Sequence, residues 1–510
     1  MTFSVENFTL HLRESDTPHP NLIIYTGLNS ALNVRGDFLF SDTRSSTNWY
    51  QTRLTFNGNG NVAIDGNFTV DSRAVNAAEG LYNCVIFSVN SANFTVGKIL
   101  TLKNSNGDEN IFRTSPTSAG TFTRTLGGLQ ITQRGMIQLA GNASAVNTTE
   151  LIFTNSGTSE YIGGLLTRDS DGELANNKLN VRMTANDAAN GRQIMRFNTT
   201  SGWTLDSYVY SDAANALNEV EVSSGRLDLG MYGGMKGGSL MIMGYNRPSE
   251  AVFSATGTAA DTEIGSVTFD TMSFYRGTVV FDLAEGDGDF IQVDGAMTKV
   301  TGASPLVLEL NVSAYDLQAW IEASERDEWS ADLLSFATEG SNVSADDFSV
   351  KLQDGIIGKI MISELNGISA VSANLSPHPR TLRNRRHARA CRARLRRAQK
   401  TGKINICFNK KPGKTEFPRL FCASKTAAFK GGERPINRRD SLYARNADFQ
   451  TPSSASPSAS GARRKAVFYR RLPPNGKRPA RFALTKSAAA EHAKPSISAH
   501  SAGSGTETIQ

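Results

Sequence analysis

Cysteine and histidine are scarce where this 510-residue chain looks foldable. Of 4 cysteines only Cys84 precedes position 376. It sits in the apolar run CVIFSV, where it reads as a small buried hydrophobe. Cys391, Cys407 and Cys422 stand 16 and 15 residues apart with no C-x-x-C pair, so neither a zinc knuckle nor a disulfide framework is predicted. Before position 376 the only histidines are His11 and His19, read as loop and strand-surface residues, so a triad lacks its base. No G-x-S-x-G, H-E-x-x-H, P-loop or G-x-G-x-x-G leading into a helix occurs. The glycine-rich 231–240 carries Lys236 but lies between strands, without a helix N-terminus to cradle phosphate. No apolar run reaches the length of a membrane-spanning helix. Met1 opens into FSVENFTLHL, which alternates like a strand and lacks the basic and apolar regions of a secretory signal. If the chain is exported, its start codon is expected further upstream.

Charge divides the chain. Residues 1–375 hold 23 Lys+Arg against 42 Asp+Glu, a net of −19, while 376–510 hold 31 against 6, a net of +25. Proline divides it likewise, with 5 of 16 before position 376. The acidic part is rich in Asn, Ser, Thr and Gly.

Three strand-like runs follow one another in 264–297, IGSVTFDTMSFYRGTVVFDLAEGDGDFIQVDGAM. Apolar and polar residues alternate in each, and glycine or glycine-acidic turns separate them. They begin at Ser266, Thr278 and Phe290, 12 residues apart each time. Strand-turn units at near-constant spacing point to a solenoid or a β-sandwich. Related units are SGRLDLG at 224–230, GGSLMIMG at 237–244 and, more loosely, LTFNGNGNVAIDGNFTVDS at 54–72. In the last, Asn-Gly and Asp-Gly supply tight turns.

These units resemble the repeats of bacterial autotransporter-associated β-strand repeat proteins, whose short GGTLxL-type strands stack into a β-helix passenger. The likeness covers roughly residues 120 to 370. It implies an all-β fold, a right-handed parallel β-helix, with Leu227, Leu229, Val267, Phe269, Val279 and Phe281 in its interior. It also implies a non-enzymatic, adhesin-like bacterial protein, secreted or at the cell surface or outer membrane, without a cofactor. Its expected partners are cell-surface or extracellular polysaccharide or matrix. An antiparallel sandwich is the alternative fold. A β-helix polysaccharide lyase or glycoside hydrolase is the alternative function, with its groove opened by loops at 105–120 or 245–261.

Four regions are expected: N-terminal strands or a cap at 1–53, the solenoid at 54–312, a capping helix and strands at 313–375, and a disordered tail at 376–510. Strands are expected near 178–184 and 192–198. Ser313 and Asp316 resemble a capping box, and the spacing of Leu317, Trp320 and Ile321 predicts a helix over 314–324 that packs Trp320 onto the solenoid's end. Nine arginines crowd 380–397. Pro377-His378-Pro379 stands where some repeat proteins of this kind carry a Pro-Glu-Pro sorting signal. A frame change near 373–376 is the expected origin of the tail, ahead of a solvated native tail. A nucleic-acid arm is the remaining reading, and no specific nucleic-acid partner is expected.

Asp282, Glu285, Asp287, Asp289 and Asp294 form a dense carboxylate group. Asp287 and Asp289 are the candidate metal ligands, since Gly-Asp-Gly-Asp resembles half of a calcium-binding repeat. A single copy fits better as a solvent-facing turn. Trp203, Tyr208 and Tyr210 are candidate sugar-stacking residues, though such aromatics more often fill a core.

Overall fold

The structure is a computed structural model. It describes residues 1–378 apart from 13–20, 44, 47–49, 74, 77–82, 91–92, 105–108, 116–118, 141–145, 170–176, 199–202, 206–207, 213–215, 233, 246–249, 257–263 and 286, and describes 406–407 and 421–422 beyond them. The expected tail therefore lies outside the described residues from 379 on, except that Ile406–Cys407 and Phe421–Cys422 pair antiparallel.

Strands of successive coils stack in parallel on three faces. The first face opens with Thr2–Val5, Ala31–Val34, Asn61–Ile64 and Asn93–Val96. The second holds Phe8–Leu12, Phe38–Asp42, Phe68–Ser72 and Leu100–Asn104. The third begins with Asn21–Tyr25, Tyr50–Asn57, Asn83–Val89 and Asn110–Thr114. Because the register is direct, like side chains meet inside. Phe8, Phe38 and Phe68 form one ladder, with ring centroids 4.8 and 4.9 Å apart, the spacing of hydrogen-bonded strands. A second ladder runs Leu227, Phe253, Val279, Leu308 and Val350. Each fully buried Phe or Leu contributes roughly 1.5–3 kcal/mol. Asparagines stack too: Asn90 on Asn57 and Asn93 on Asn61 at strand ends, and Asn218 on Asn180 within strands, each at 3.0 Å.

The parallel β-helix is thus present and the sandwich is excluded. Val267 and Phe269 lie parallel to Ile291 and Val293, while Val279 and Phe281 lie parallel to Leu308 and Leu310 on another face. The 12-residue spacing is half a coil: Ser266 pairs with Phe290, and the run starting at Thr278 belongs to a different face. The six expected interior residues are all buried.

Four readings of the sequence are corrected. The coils begin at Thr2, not near 54. The loop expected at 105–120 contains Asn110–Thr114, a rung buried at every position; its polar flanks disguise Ile111 and Phe112, and Arg113 is accommodated by donating to Gln138 at 3.0 Å. The loop expected at 245–261 contains the rung Ala251–Ser254, with Phe253 in the core. Finally, the coils do not stop at 312. After it, Trp329–Ala337 and Phe348–Leu352 continue the first and third faces. Ile368–Pro377 then pairs antiparallel with Trp329–Ala337, and Ile356–Leu365 pairs on its outer side.

Among the described residues the second face ends with Leu129 and Gln130, at the start of the strand Leu129–Leu139. The Gln193 side chain substitutes for a further strand there: its amide donates to the Leu129 carbonyl at 3.2 Å and accepts from the Leu129 N–H at 3.0 Å. Ser159 also donates to Gln193, at 2.6 Å. Beyond this point Gly135 and Gly163 face each other in neighbouring coils. A Cβ on Gly163 would stand 1.9 Å from the Gly135 carbonyl oxygen, so the coils approach this closely only without side chains.

Candidate functional site

Near the C-terminal end of the solenoid a groove of about 700 Å³ opens between three elements. One wall is a tight hairpin in which Leu283 lies opposite Gly288 and Ala284 opposite Asp287. It presents Glu285, Asp287 and, at the start of the next strand, Phe290. The second wall is the helix Ala314–Ser324 with the residues just after it. The third is the start of Trp329–Ala337, with Asp332.

The helix forms where the sequence predicts it. The Ser313 hydroxyl accepts the Asp316 N–H and donates to the Asp316 carboxylate. Leu317 and Ile321 are buried against the coils. Trp320, on the edge of that stripe, is only half-buried and lines the groove. Glu325 ends the helix in a left-handed conformation with φ of 54°, which turns the chain so that Arg326 also lines the groove. Trp329 is 8% exposed, and its ring centroid lies 5.4 Å from that of Trp320 with planes at 45°. The groove therefore offers the half-buried indole of Trp320, backed by that of the buried Trp329, with the carboxylates Glu285, Asp287 and Asp332 and the guanidinium of Arg326. Asp332 is held by a hydrogen bond from Ser372 at 2.6 Å.

The predicted acidic cluster is divided. Glu285 and Asp287 are exposed in the groove wall. Asp294 faces elsewhere, bonded to Lys236 at 2.5 Å and Gln292 at 2.6 Å. Asp282 and Asp289 are not solvent-facing, as the turn reading required, but buried. The two oxygens of Asp289 accept the N–H groups of Gly265 at 2.7 Å and Asp282 at 2.8 Å. Asn311 donates to Asp282 at 2.7 Å. Burial pushes the Asp289 carboxyl up to about 7, and the nearby Asp282 and Asp228 carboxylates add to the rise while the two backbone bonds restrain it. Asp289 thus fastens the hairpin from behind, between the groove residues Gly288 and Phe290.

Asp287 and Asp289 consequently do not converge on a common point: one is exposed, the other fully buried. Among the described residues no group of three or more His, Cys, Asp or Glu is placed to hold a metal ion. Trp203 and Tyr208–Asp212 lie on a short antiparallel excursion beside Thr158–Asp169; the side chains of Trp203, Tyr208 and Tyr210 fall outside the described residues. The sequence reading missed the groove because its walls come from segments distant in sequence, from Glu285 to Asp332. A usable signal existed: 2 of the chain's 4 tryptophans, Trp320 and Trp329, bracket the end of the helix. No helix among the described residues is long and apolar enough to cross a membrane. No protein-family model matches the chain, and no curated protein matches it.

Proposed function

We propose that this β-helix is a non-enzymatic, adhesin-like scaffold, secreted or displayed at a bacterial cell surface, that binds a polysaccharide through the groove at its C-terminal end. The observation that carries this reading is the Trp320–Trp329 pair beside exposed carboxylates. Indole faces stack on the apolar faces of sugar rings, while carboxylates and a guanidinium accept and donate hydrogen bonds to hydroxyls. A preformed concave site with few polar anchors suits such a ligand. Continuous coils supply a rigid support for it, because each is packed on its neighbours through a core that runs along the solenoid. The resemblance of 224–230, 237–244 and 264–297 to surface-repeat sequences agrees with this role. A binding screen of the full chain against immobilised glycans tests it: capture is expected, and Trp320→Ala should weaken it at least about tenfold.

A second reading is hydrolysis or elimination of the same glycan. It is favoured by carboxylates on different walls, Glu285 and Asp287 against Asp332, since glycoside cleavage needs two carboxyl groups flanking the bond. Release of shortened chains, lost in Glu285→Gln or Asp332→Asn, would favour it over simple binding.

A further inference from the structure

The strand Ile356–Leu365 ends the sheet. One side pairs with Ile368–Pro377; among the described residues no strand pairs with the other. Its two faces differ. Ile356 is buried, and Ile360 and Ile362 pack against the core. On the opposite face Ile357, Met361 and Leu365 are 44%, 40% and 74% exposed, and Ile368 across the turn is 55% exposed. An open edge with an apolar stripe is a template for another strand.

We propose that a second copy of this chain occupies the edge, the two Ile356–Leu365 strands pairing antiparallel about a twofold axis at Met361. Register selects this occupant. Directly opposed residues in an antiparallel pair share a face, so the outward stripe must meet the outward stripe. Centring the pair on Met361 sets Met361 against Met361, Ile357 against Leu365 and Ile360 against Ile362. Lys359 then faces Ser363 and Glu364 faces Gly358, so no like charges oppose. Moving the centre to Ile360 sets Glu364 against Ile356 and Lys359 against Met361, burying each charge against an apolar side chain. The strand is thus complementary to itself, which favours a closed isologous dimer over a different partner. Ten paired residues and a narrow stripe cover less than the roughly 800 Å² per partner of a standard interface, so association in the micromolar range is expected.

Sedimentation velocity of the full chain under reducing conditions, from about 1 to 100 μM, tests this. Wild type should pass from monomer to dimer. Met361→Lys and Met361→Glu, at a partly exposed position, should each remain monomeric because like charges meet at the axis. An equimolar mixture of the two should recover the dimer. Hydrogen exchange on wild type supplies a check independent of the variants: amides of 356–365 should gain protection with concentration. A wild type that stays monomeric, a dimer that persists in both variants, a mixture that fails to associate, or unchanged protection of 356–365 would overturn the proposal.

Discussion

Asp289 should make the stability of the solenoid fall as the solution is brought from mildly acidic to neutral pH. An unfolded aspartate titrates at about 3.9, whereas burial raises the folded carboxyl to about 7. Between those values the folded state holds a proton that the unfolded state has released, so stability declines with rising pH. The contribution is fully present below about pH 4 and lost by about pH 7; roughly three units at about 1.36 kcal/mol each give on the order of 4 kcal/mol. Other carboxylates run in the opposite direction. Hydrogen bonds from Lys236 and Gln292 hold Asp294 below the usual range, so its contribution is lost as the pH falls. The clean quantity is therefore the difference between wild type and Asp289→Asn. The substituted amide turns an NH₂ toward one of the two backbone N–H groups from which the carboxylate accepts, which adds a cost independent of pH. Urea unfolding of both proteins from about pH 4 to 8 should show the wild-type advantage shrinking by about 4 kcal/mol. A pH-independent difference would refute the reasoning and place the ionised carboxylate comfortably in its turn.

Gln193→Ala should cost about 3–5 kcal/mol, because it leaves the Leu129 N–H and carbonyl without partners inside the coil; an effect under about 1 kcal/mol in chemical denaturation would show that water replaces the amide. Gly163→Ala should cost about 3 kcal/mol or more, since the new methyl meets the Gly135 backbone rather than a yielding side chain; unchanged thermal unfolding would mean that the coils separate freely at this point. The frame change proposed near 373–376 predicts that one alternative frame downstream of codon 375 encodes a Pro-Glu-Pro-like motif, about 20 apolar residues and an Arg cluster. Genomic sequence in which neither alternative frame does so would leave the basic tail as the native one.

The fold was legible because a β-helix writes its periodicity into short alternating strands. Val267, Phe269, Val279 and Phe281 alternate with other residues along their runs and all proved interior. The coil length was not legible, since residues that stack lie 20 to 43 positions apart, as in Val220 on Leu240 and Ile291 on Leu334. A local run thus shows a strand but not its partner. Rungs such as Asn110–Thr114 escaped because a five-residue strand containing an Arg carries little alternation. The carboxylate cluster was visible, but its fate was not: buried Asp289 is held by Gly265 and buried Asp282 by Asn311, both distant in sequence. The helix was legible throughout, because its cap and apolar spacing are local. What Trp320 meets there was not.

The most direct test of the proposed role is binding and turnover of one captured glycan, measured on the same sample. The account predicts saturable binding by wild type, at least about tenfold weaker binding by Trp320→Ala, equivalent to about 1.4 kcal/mol or more, and a bound glycan recovered at its original length. Binding that is indifferent to Trp320, or a glycan recovered shortened by wild type but intact after Glu285→Gln, would contradict it.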